Sequence, residues 1–189
     1  MYKFLCVLVG FFTRLIFRIK VTGEENIPKD GGAIICANHL SNWDPVVLQI
    51  SVNRRIYYMA KAELFKAFFV GFVLKCIKAI PVKRTGSDLT AIKQSFKTIK
   101  DGNVLGIFPT GQRQKVKGEG EVKAGVGLIA GKTGAPVIPV HIESSFKWFS
   151  KVKITIGEPK VYKAPEGEKI NVELAEEFSK DIYNKIKSL

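Results

Sequence analysis

The sequence predicts a single α/β domain in which helices flank a largely parallel central sheet. Short apolar runs of the buried-strand type alternate along the chain with amphipathic segments of helical period, and this alternation is typical of α/β folds. Hydrophobic residues make up 46% of the chain and charged residues 25%, which indicates a globular fold with a buried core. A length of 189 residues and the lack of an internal repeat favour one large domain.

The first segment, residues 1–22, is predicted to be an amphipathic helix at the membrane interface. Residues 4–12 form an unbroken apolar run, but it is shorter than the roughly 20 residues that span a bilayer. Arg14, Arg18 and Lys20 follow, where a signal peptide would have a small-residue cleavage site. A helix with large apolar residues over most of its surface and cations on one side is expected to lie among lipid headgroups. The alternative is a core helix with a narrow solvated stripe.

The rest of the chain, residues 23–189, is predicted to form the domain itself. Residues 24–32 are polar and rich in Gly and Pro, which indicates a turn region. Residues 65–77 form a second aromatic and apolar stretch. Each predicted strand is a short apolar run bounded by turn residues, and each predicted helix has an apolar face or a capping residue at its start. The strands are 33–37, 56–60, 80–82, 104–108, 137–142 and 152–156, and the helices begin at Pro45, at Ser87 or Asp88, at Val122 and at Val172.

The net charge of +13, from 30 Lys and Arg against 17 Asp and Glu, favours a polyanionic partner. Such a partner could be nucleic acid, an anionic membrane surface or a phosphorylated substrate. Nucleic acid ranks last, because the aromatic residues lie in apolar runs rather than among the basic ones, and no binding motif is present. Cys6, Cys36 and Cys76 are far apart, so neither a disulfide framework nor a zinc site is predicted, and a reducing cytosolic environment is expected.

Of the two histidines, His39 is the candidate catalytic residue. It follows the predicted strand 33–37, and in open α/β sheets ligands gather beyond the carboxyl ends of the strands. An extended chain would separate His39 from Asp44 by about 16 Å, and a regular helix would leave them roughly 140° apart. They meet only if Ser41 and Asn42 form a tight turn, which both residue types favour.

A His39–Asp44 pair would have a definite chemistry. A carboxylate on one imidazole nitrogen fixes the tautomer, and the other nitrogen can then take a proton from a hydroxyl group. The alternative is that Asp44 only caps the helix predicted from Pro45 and that His39 is a solvated loop residue. His141 lies in the middle of the predicted strand 137–142, where alternation accounts for it, so a structural role is expected there.

Several blocks of the chain resemble one known family. Residues 38–45 (NHLSNWDP) resemble the NHxxxxD block of the glycerolipid acyltransferases, in particular of the 1-acylglycerol-3-phosphate (lysophosphatidate) acyltransferase family. Further blocks follow in the family's order, and the resemblance covers roughly residues 20–145. Residues 61–65 (KAELF) resemble K-x-E-L-F, residues 79–84 (AIPVKR) resemble a second motif ending in a basic residue, and residues 108–113 (FPTGQR) resemble F-P-E-G-T-R. Residues 123–126 (KAGV) resemble K-x-G, and residues 135–140 (APVIPV) resemble P-V-x-P-V.

The resemblance implies roles for particular residues. In the family, the His acts as general base on a glycerol hydroxyl, which attacks the thioester of acyl-CoA or acyl-carrier protein, and the Asp orients the His. Carried over by motif, these roles fall on His39 and Asp44. No cofactor or metal is implied, because the thioester already supplies an activated acyl group.

The same resemblance assigns acceptor binding to Arg84, Thr110, Gly111 and Arg113. A guanidinium is a forked donor suited to phosphate, and a glycine lets the backbone approach a ligand closely. The chain departs from the family at Thr110, where the family has Glu. Without that carboxylate Arg113 is freer to pair with a phosphate, or the acceptor differs. The departure affects the predicted identity of the acceptor more than the prediction of acyl transfer, because His39 and Asp44 are both present.

Together these features predict an acyltransferase that moves a fatty acyl group to the free hydroxyl of 1-acylglycerol-3-phosphate, giving phosphatidate. The expected partners are the lysophospholipid acceptor, acyl-CoA or acyl-carrier protein as donor, and an anionic membrane surface. The expected location is the cytoplasmic face of the cell membrane, as a peripheral or monotopic protein. The alternatives are the same chemistry on glycerol-3-phosphate or another lysolipid, and a catalytically silent lipid-binding protein on the same fold.

Overall fold

A mostly parallel sheet lies at the centre of the structure, a computed structural model that describes residues 2–83, 88–111, 122–164 and 170–189. Within these ranges the strands are β1 (Arg18–Thr22), β2 (Ala33–Ala37), β3 (Ile56–Lys61), β4 (Ile80–Val82), β5 (Val104–Ile107), β6 (Val137–Glu143) and β7 (Lys151–Ile156). The helices are α1 (Tyr2–Ile16), α2 (Asp44–Ile50), α3 (Phe68–Cys76), α4 (Leu89–Lys100), α5 (Gly125–Thr133) and α6 (Val172–Ser188). The α/β class predicted from the alternation of strands and helices is confirmed.

The strand order is β1-β7-β6-β2-β5-β3-β4. Strands β2 to β6 run parallel to one another, β7 pairs with β6 in the antiparallel sense, and β1 pairs with β7 in the parallel sense. The carboxyl ends of five parallel strands therefore meet at one edge, which we call the carboxyl edge. The starts of β1 and β7 lie at the same edge, because these two strands run in the opposite direction.

Apolar side chains from both faces of the sheet form two cores. Every residue of β2 is buried, with Ile35 in the core shared with α2 and Ile34 in the core shared with α4, α5 and α6. A strand covered on both faces has no solvated side, which explains why the run AIICA is continuously apolar rather than alternating. Covering both faces also leaves the carboxyl edge as the place where polar side chains can gather.

The N-terminal helix is shorter than the predicted range 1–22. It ends at Ile16, and Arg18 is the first residue of β1 rather than part of a helical stripe of cations. The segment RIKVT alternates, with Arg18 and Lys20 exposed and Ile19 packed against the core beside α2. This period of two suits an edge strand, and pairing with β7 stabilises it. The placement of α1 at a membrane remains a prediction.

Exposed apolar residues are concentrated on two helical segments. On α1 they include Phe11 and Phe12, which are 61% and 55% exposed. The predicted aromatic stretch 65–77 folds as a 3₁₀ turn, Ala62–Lys66, followed by α3, and Phe68 at the start of α3 is 96% exposed. Among the described residues, no helix combines the length and hydropathy needed to cross a bilayer.

Candidate active site

His39 and Asp44 meet at the carboxyl edge, directly after β2. Nδ1 of His39 lies 2.8 Å from Oδ2 of Asp44, and the Asp44 side chain is fully buried whereas 18% of the His39 side chain is exposed. A buried carboxylate on Nδ1 holds the proton there and leaves Nε2 as the basic nitrogen. Because the imidazole still reaches the surface, Nε2 can meet a substrate.

A tight turn brings the two residues together, which was the condition for their meeting. The amide of Asp44 donates to the carbonyl of Ser41 at 3.2 Å, and the Ser41 hydroxyl accepts from the amide of Trp43 at 3.2 Å. The amides of Leu40 and Ser41 both donate to Oδ2 of Asp44 at 2.6 Å. Trp43, not Asp44, occupies the cap position of α2. The carboxylate therefore organises the turn instead of capping the helix.

Asn38 fixes the start of this turn to the sheet. Its buried side chain donates to the carbonyl of Ile142 at 2.8 Å and accepts from the amide of Ile142 at 2.7 Å. An asparagine side chain satisfies both groups because its amide mimics a peptide unit. The chain thus leaves β2 along one path, and His39 is held in place from its N-terminal side. Asn38 was not predicted to be a site residue, although it belongs to the NHxxxxD block.

We expect Asn38→Ala to destabilise the protein and reduce its activity. Losing the amide leaves the buried N–H and C=O of Ile142 without partners, which should lower the free energy of unfolding by about 2–4 kcal/mol. Chemical denaturation measures this difference. Ser41→Ala is the matched control, since it removes an exposed hydrogen bond from the same turn. Equal stability of Asn38→Ala and the wild type would show that the Asn38 bonds do not hold the turn.

An aromatic stack supports the imidazole from the side of β5. The ring of Phe108 lies 4.2 Å from the His39 ring, centroid to centroid and nearly parallel, and the ring of Tyr58 stacks on Phe108 at 6.2 Å. Gly106 makes room for this stack, because a β-carbon there would lie 2.6 Å from the Tyr58 ring. The stack restricts rotation of the imidazole and shields one of its faces from water. Neither aromatic residue was predicted as part of the site.

The turn after β5 places Thr110 and Gly111 at the same edge. Thr110 is buried, and the amide of Gly111 donates to the carbonyl of Phe108 at 2.9 Å. Gly111 has a φ of +65°, a conformation that glycine adopts without steric cost. The amide of Lys123 donates to the carbonyl of Pro109, and a β-carbon on Gly111 would lie 4.0 Å from Nζ of Lys123. Lys123 therefore adds a cation at this edge, although it was not predicted to be a site residue and appeared only within the K-x-G block.

Two predicted site residues, Arg84 and Arg113, lie outside the described residues. Their roles remain predictions from the motif. The described residues on either side of the gap 84–87 are tied together, since the amide of Lys83 and the amide of Ala91 donate to the carboxylate of Asp88. These bonds, that of Lys83 foremost, lower the pKa of the Asp88 carboxyl. Of the two caps predicted for α4, Ser87 or Asp88, the structure has Asp88 in the cap position.

Two further residues with potentially reactive side chains, Cys36 and His141, lie within strands of the sheet. Burial raises the pKa of the Cys36 thiol far above its ordinary value, so this cysteine stays protonated and unreactive. His141 lies within β6, as predicted, and is the register partner of Thr155 on β7. In the ranges that the structure describes, no group of three or more His, Cys, Asp or Glu side chains could hold a metal ion.

Comparison with known proteins places the chain among acyltransferases. The family model described as Acyltransferase matches residues 18–143. The chain is 37% identical over 166 residues to the 1-acyl-sn-glycerol-3-phosphate acyltransferase of Bacillus subtilis, covering 84% of this chain and 82% of the relative. A protein of the same name from Borreliella burgdorferi is 33% identical over 148 residues, covering 77% of this chain and 59% of the relative.

The fold is also similar to a solved structure. The crystal structure of the 1-acyl-sn-glycerophosphate (LPA) acyltransferase PlsC from Thermotoga maritima superposes with a TM-score of 0.73 at 28% sequence identity, covering all of this chain and 82% of the other. The family match spans β1 to β6 and includes the His39–Asp44 turn and the turn after β5. The resemblance noted in the sequence blocks is thus confirmed over most of the chain, and the chain belongs to the acyltransferase family.

Proposed function

We propose that this protein transfers a fatty acyl group from acyl-CoA or acyl-carrier protein to the free hydroxyl of 1-acylglycerol-3-phosphate, giving phosphatidate. The observation on which this rests is the 2.8 Å contact between Nδ1 of His39 and Oδ2 of a fully buried Asp44. The names of the relatives from Bacillus subtilis and Borreliella burgdorferi support the choice of acceptor.

In the proposed reaction His39 is the general base. Nε2 removes the proton from the acceptor hydroxyl, and the oxygen attacks the thioester carbonyl to form a tetrahedral intermediate. Collapse of this intermediate breaks the carbon–sulfur bond and expels the thiolate. The thiolate then takes the proton from the imidazolium, which returns His39 to its neutral form. Asp44 stabilises the positive charge on the imidazolium during this cycle. The thioester supplies the activated acyl group, so the proposal includes no cofactor and no metal.

A cation at the carboxyl edge suits a phosphate-bearing acceptor. Lys123 extends past Gly111, beside the turn after β5, and the resemblance to the family assigns acceptor binding to Arg84 and Arg113. Glycine at position 111 leaves the backbone open to a close approach by a ligand. Since Thr110 is buried and is not a carboxylate, it adds no negative charge that would repel a phosphate.

A panel of acceptors tests the substrate assignment. Purified enzyme in mixed vesicles is given 1-acylglycerol-3-phosphate, glycerol-3-phosphate or other lysolipids, each with acyl-CoA and with acyl-carrier protein, and the products are identified by mass spectrometry. We expect phosphatidate to form fastest. A product from a different acceptor would retain the chemistry and change the substrate. No product from any pair would favour a catalytically silent lipid-binding protein.

Arg84→Ala and Arg113→Ala should each weaken binding of the acceptor. Loss of a charged hydrogen bond to phosphate costs about 1.5–3 kcal/mol, so KM for 1-acylglycerol-3-phosphate should rise by roughly 10- to 100-fold, and KM for the acyl donor should change less. Lys93→Ala on the exposed face of α4 is the control. A fall in kcat with no change in KM for the acceptor would contradict the assignment of these arginines to phosphate binding.

We further propose that α1 lies on the cytoplasmic face of the cell membrane and makes the enzyme a peripheral or monotopic protein. Its apolar surface includes Phe11, Phe12 and Leu15, which are 55–61% exposed, and Arg14 lies in its last turn. Burying such side chains in the headgroup region is favourable, and each cation adds about 1 kcal/mol near an anionic leaflet. Gly10, facing Ile50 of α2, marks the side of α1 that packs on the domain.

Substitution of Phe11, Phe12 and Leu15 by Gln should release the protein from vesicles. These side chains are exposed, so the fold is retained, whereas deletion of residues 1–20 would also remove most of β1. Flotation with anionic and neutral vesicles measures membrane binding. Salt should weaken binding to the anionic vesicles, because it screens the attraction between the cations and the lipid headgroups. The Glu177→Gln variant on α6 provides an exposed control. Equal flotation of the triple variant and the wild type would show that α1 is not the anchor.

A further inference from the structure

The loop between β6 and β7, residues 144–150, exposes two large aromatic side chains. Trp148 is 78% exposed and Phe149 is 67% exposed; we call these two residues the aromatic tip. Exposed apolar side chains that cluster on a protein surface mark sites of contact with a membrane or a partner. The proposed reaction uses neither residue.

Hydrogen bonds within the loop and two residues with positive φ hold the backbone of the aromatic tip in one conformation. The Ser144 hydroxyl accepts from the amide of Phe146 at 2.9 Å, and the amide of Ser150 donates to the carbonyl of Lys147 at 3.0 Å. Phe146 and Phe149 have φ values of +51° and +61°, which are strained for bulky residues. Such strain persists only where the surrounding structure imposes it, and it is concentrated at functional positions.

The aromatic tip lies at the carboxyl edge and is linked to the His39 turn. The amide of Phe149 donates to the carbonyl of Ile16, at the end of α1. Phe17, which is buried, packs edge to face against Phe146 of the loop and against Trp43 of the His39 turn, at 5.7 and 5.3 Å between ring centroids. Hydrogen bonding and ring packing therefore connect the aromatic tip, the end of α1 and the His39 turn.

Three cations are close to the aromatic tip along the chain or across the β1–β7 pair. Lys147 lies in the loop, and Arg18 and Lys151 are register partners at the starts of β1 and β7. All three are exposed. Tryptophan and phenylalanine beside exposed cations form the combination that binds an anionic bilayer, because the rings enter the interface while the cations meet the headgroups.

We propose that the β6–β7 loop is a second membrane contact, in which Trp148 and Phe149 insert into the interface of an anionic bilayer. Together with α1 it would seat the carboxyl edge against the lipid surface, so that His39 meets a lysolipid without the lipid leaving the membrane. This inference rests on the proposed function for its purpose, but the contact itself is independent of catalysis.

Tryptophan fluorescence tests insertion directly, since the chain has two tryptophans, Trp43 and Trp148. The full-length Trp43→Phe variant reports on Trp148 alone. With vesicles of phosphatidylglycerol and phosphatidylcholine that have brominated acyl chains, its emission should shift to shorter wavelength and be quenched. The Trp148→Phe variant, which reports on Trp43, should be quenched less. Unchanged Trp148 emission while flotation shows the protein bound would overturn the proposal.

A second measurement uses the Trp148→Ser/Phe149→Ser variant. Its partition onto the same vesicles without bromine should fall by about 10- to 100-fold, given the apolar area withdrawn from the interface. Val161→Ser is the matched control, an exposed apolar residue beside the start of β6, at the opposite edge of the sheet. Equal partition of the double variant and the wild type would overturn the proposal. A change in Trp148 emission on adding acyl-carrier protein, without any effect of vesicles, would also overturn it.

The two proposals fail in different ways. If Trp148 is quenched but no acyl transfer occurs with any acceptor, the membrane contact stands and the proposed function falls. If acyl transfer occurs while Trp148 stays in water on bound protein, the proposed function stands and the contact falls.

Discussion

His39→Ala is expected to lower kcat by about 10² to 10⁴, the contribution typical of a positioned general base. The imidazole is the basic group that the structure presents at the carboxyl edge with its tautomer fixed, through the contact of its Nδ1 with Asp44. Without it, the acceptor hydroxyl would have to attack the thioester before losing its proton. Steady-state kinetics with saturating 1-acylglycerol-3-phosphate and acyl donor measures the loss.

The control for this prediction is the second histidine. His141→Gln changes a side chain within β6, and it should leave most of kcat intact. Circular dichroism and vesicle flotation should show that the His39→Ala protein is folded and bound as the wild type is. A folded His39→Ala protein with near-wild-type turnover would rule out the general-base mechanism.

Asp44→Asn is expected to lower kcat by about 10² to 10³. The amides of Leu40 and Ser41 donate to Oδ2 of Asp44. In the Asn variant the side-chain oxygen, which can accept these bonds, will therefore occupy the position of Oδ2, and the NH₂ group will occupy that of Oδ1. The oxygen can still accept from Nδ1 of His39, and the tautomer is therefore retained. What is lost is the negative charge that stabilises the imidazolium, an interaction of about 4 kcal/mol at 4 Å and an effective dielectric constant near 20.

The same substitution should also destabilise the fold. Oδ1 of Asp44 is buried without a hydrogen-bond partner, and an NH₂ group placed there would cost about 1–3 kcal/mol. Thermal unfolding separates this effect from the loss of kcat. Because Asp44 acts through His39, the His39→Ala/Asp44→Asn double variant should lose little more kcat than His39→Ala alone. Additive losses would show that Asp44 has a separate role in the reaction.

Local sequence patterns were sufficient where a signal lies within a few neighbouring residues. The apolar run 33–37 between polar turns predicted β2, and Asp88 ahead of an apolar face predicted the start of α4. The motif and the turn-forming pair Ser41–Asn42 predicted that His39 and Asp44 meet. These features depend on backbone propensity and on side chains in the same turn, which the order of residues encodes directly.

Contacts between distant segments could not be predicted in this way. Arg18–Thr22 was expected to continue the helix, and only pairing with β7 makes it a strand. The bonds of Asn38 to Ile142 and the stack of His39, Phe108 and Tyr58 bring together residues from separate strands.

The sequence by itself determined the fold class, the family and the candidate pair, His39 and Asp44, because each is encoded in local periodicity or in a short motif. The tertiary structure decided how that pair is held, which aromatic rings support it, and that the β6–β7 loop lies beside α1 at the same edge as His39. Strand order and parallel register set these positions, and they depend on which segments bury their apolar faces together rather than on any single segment.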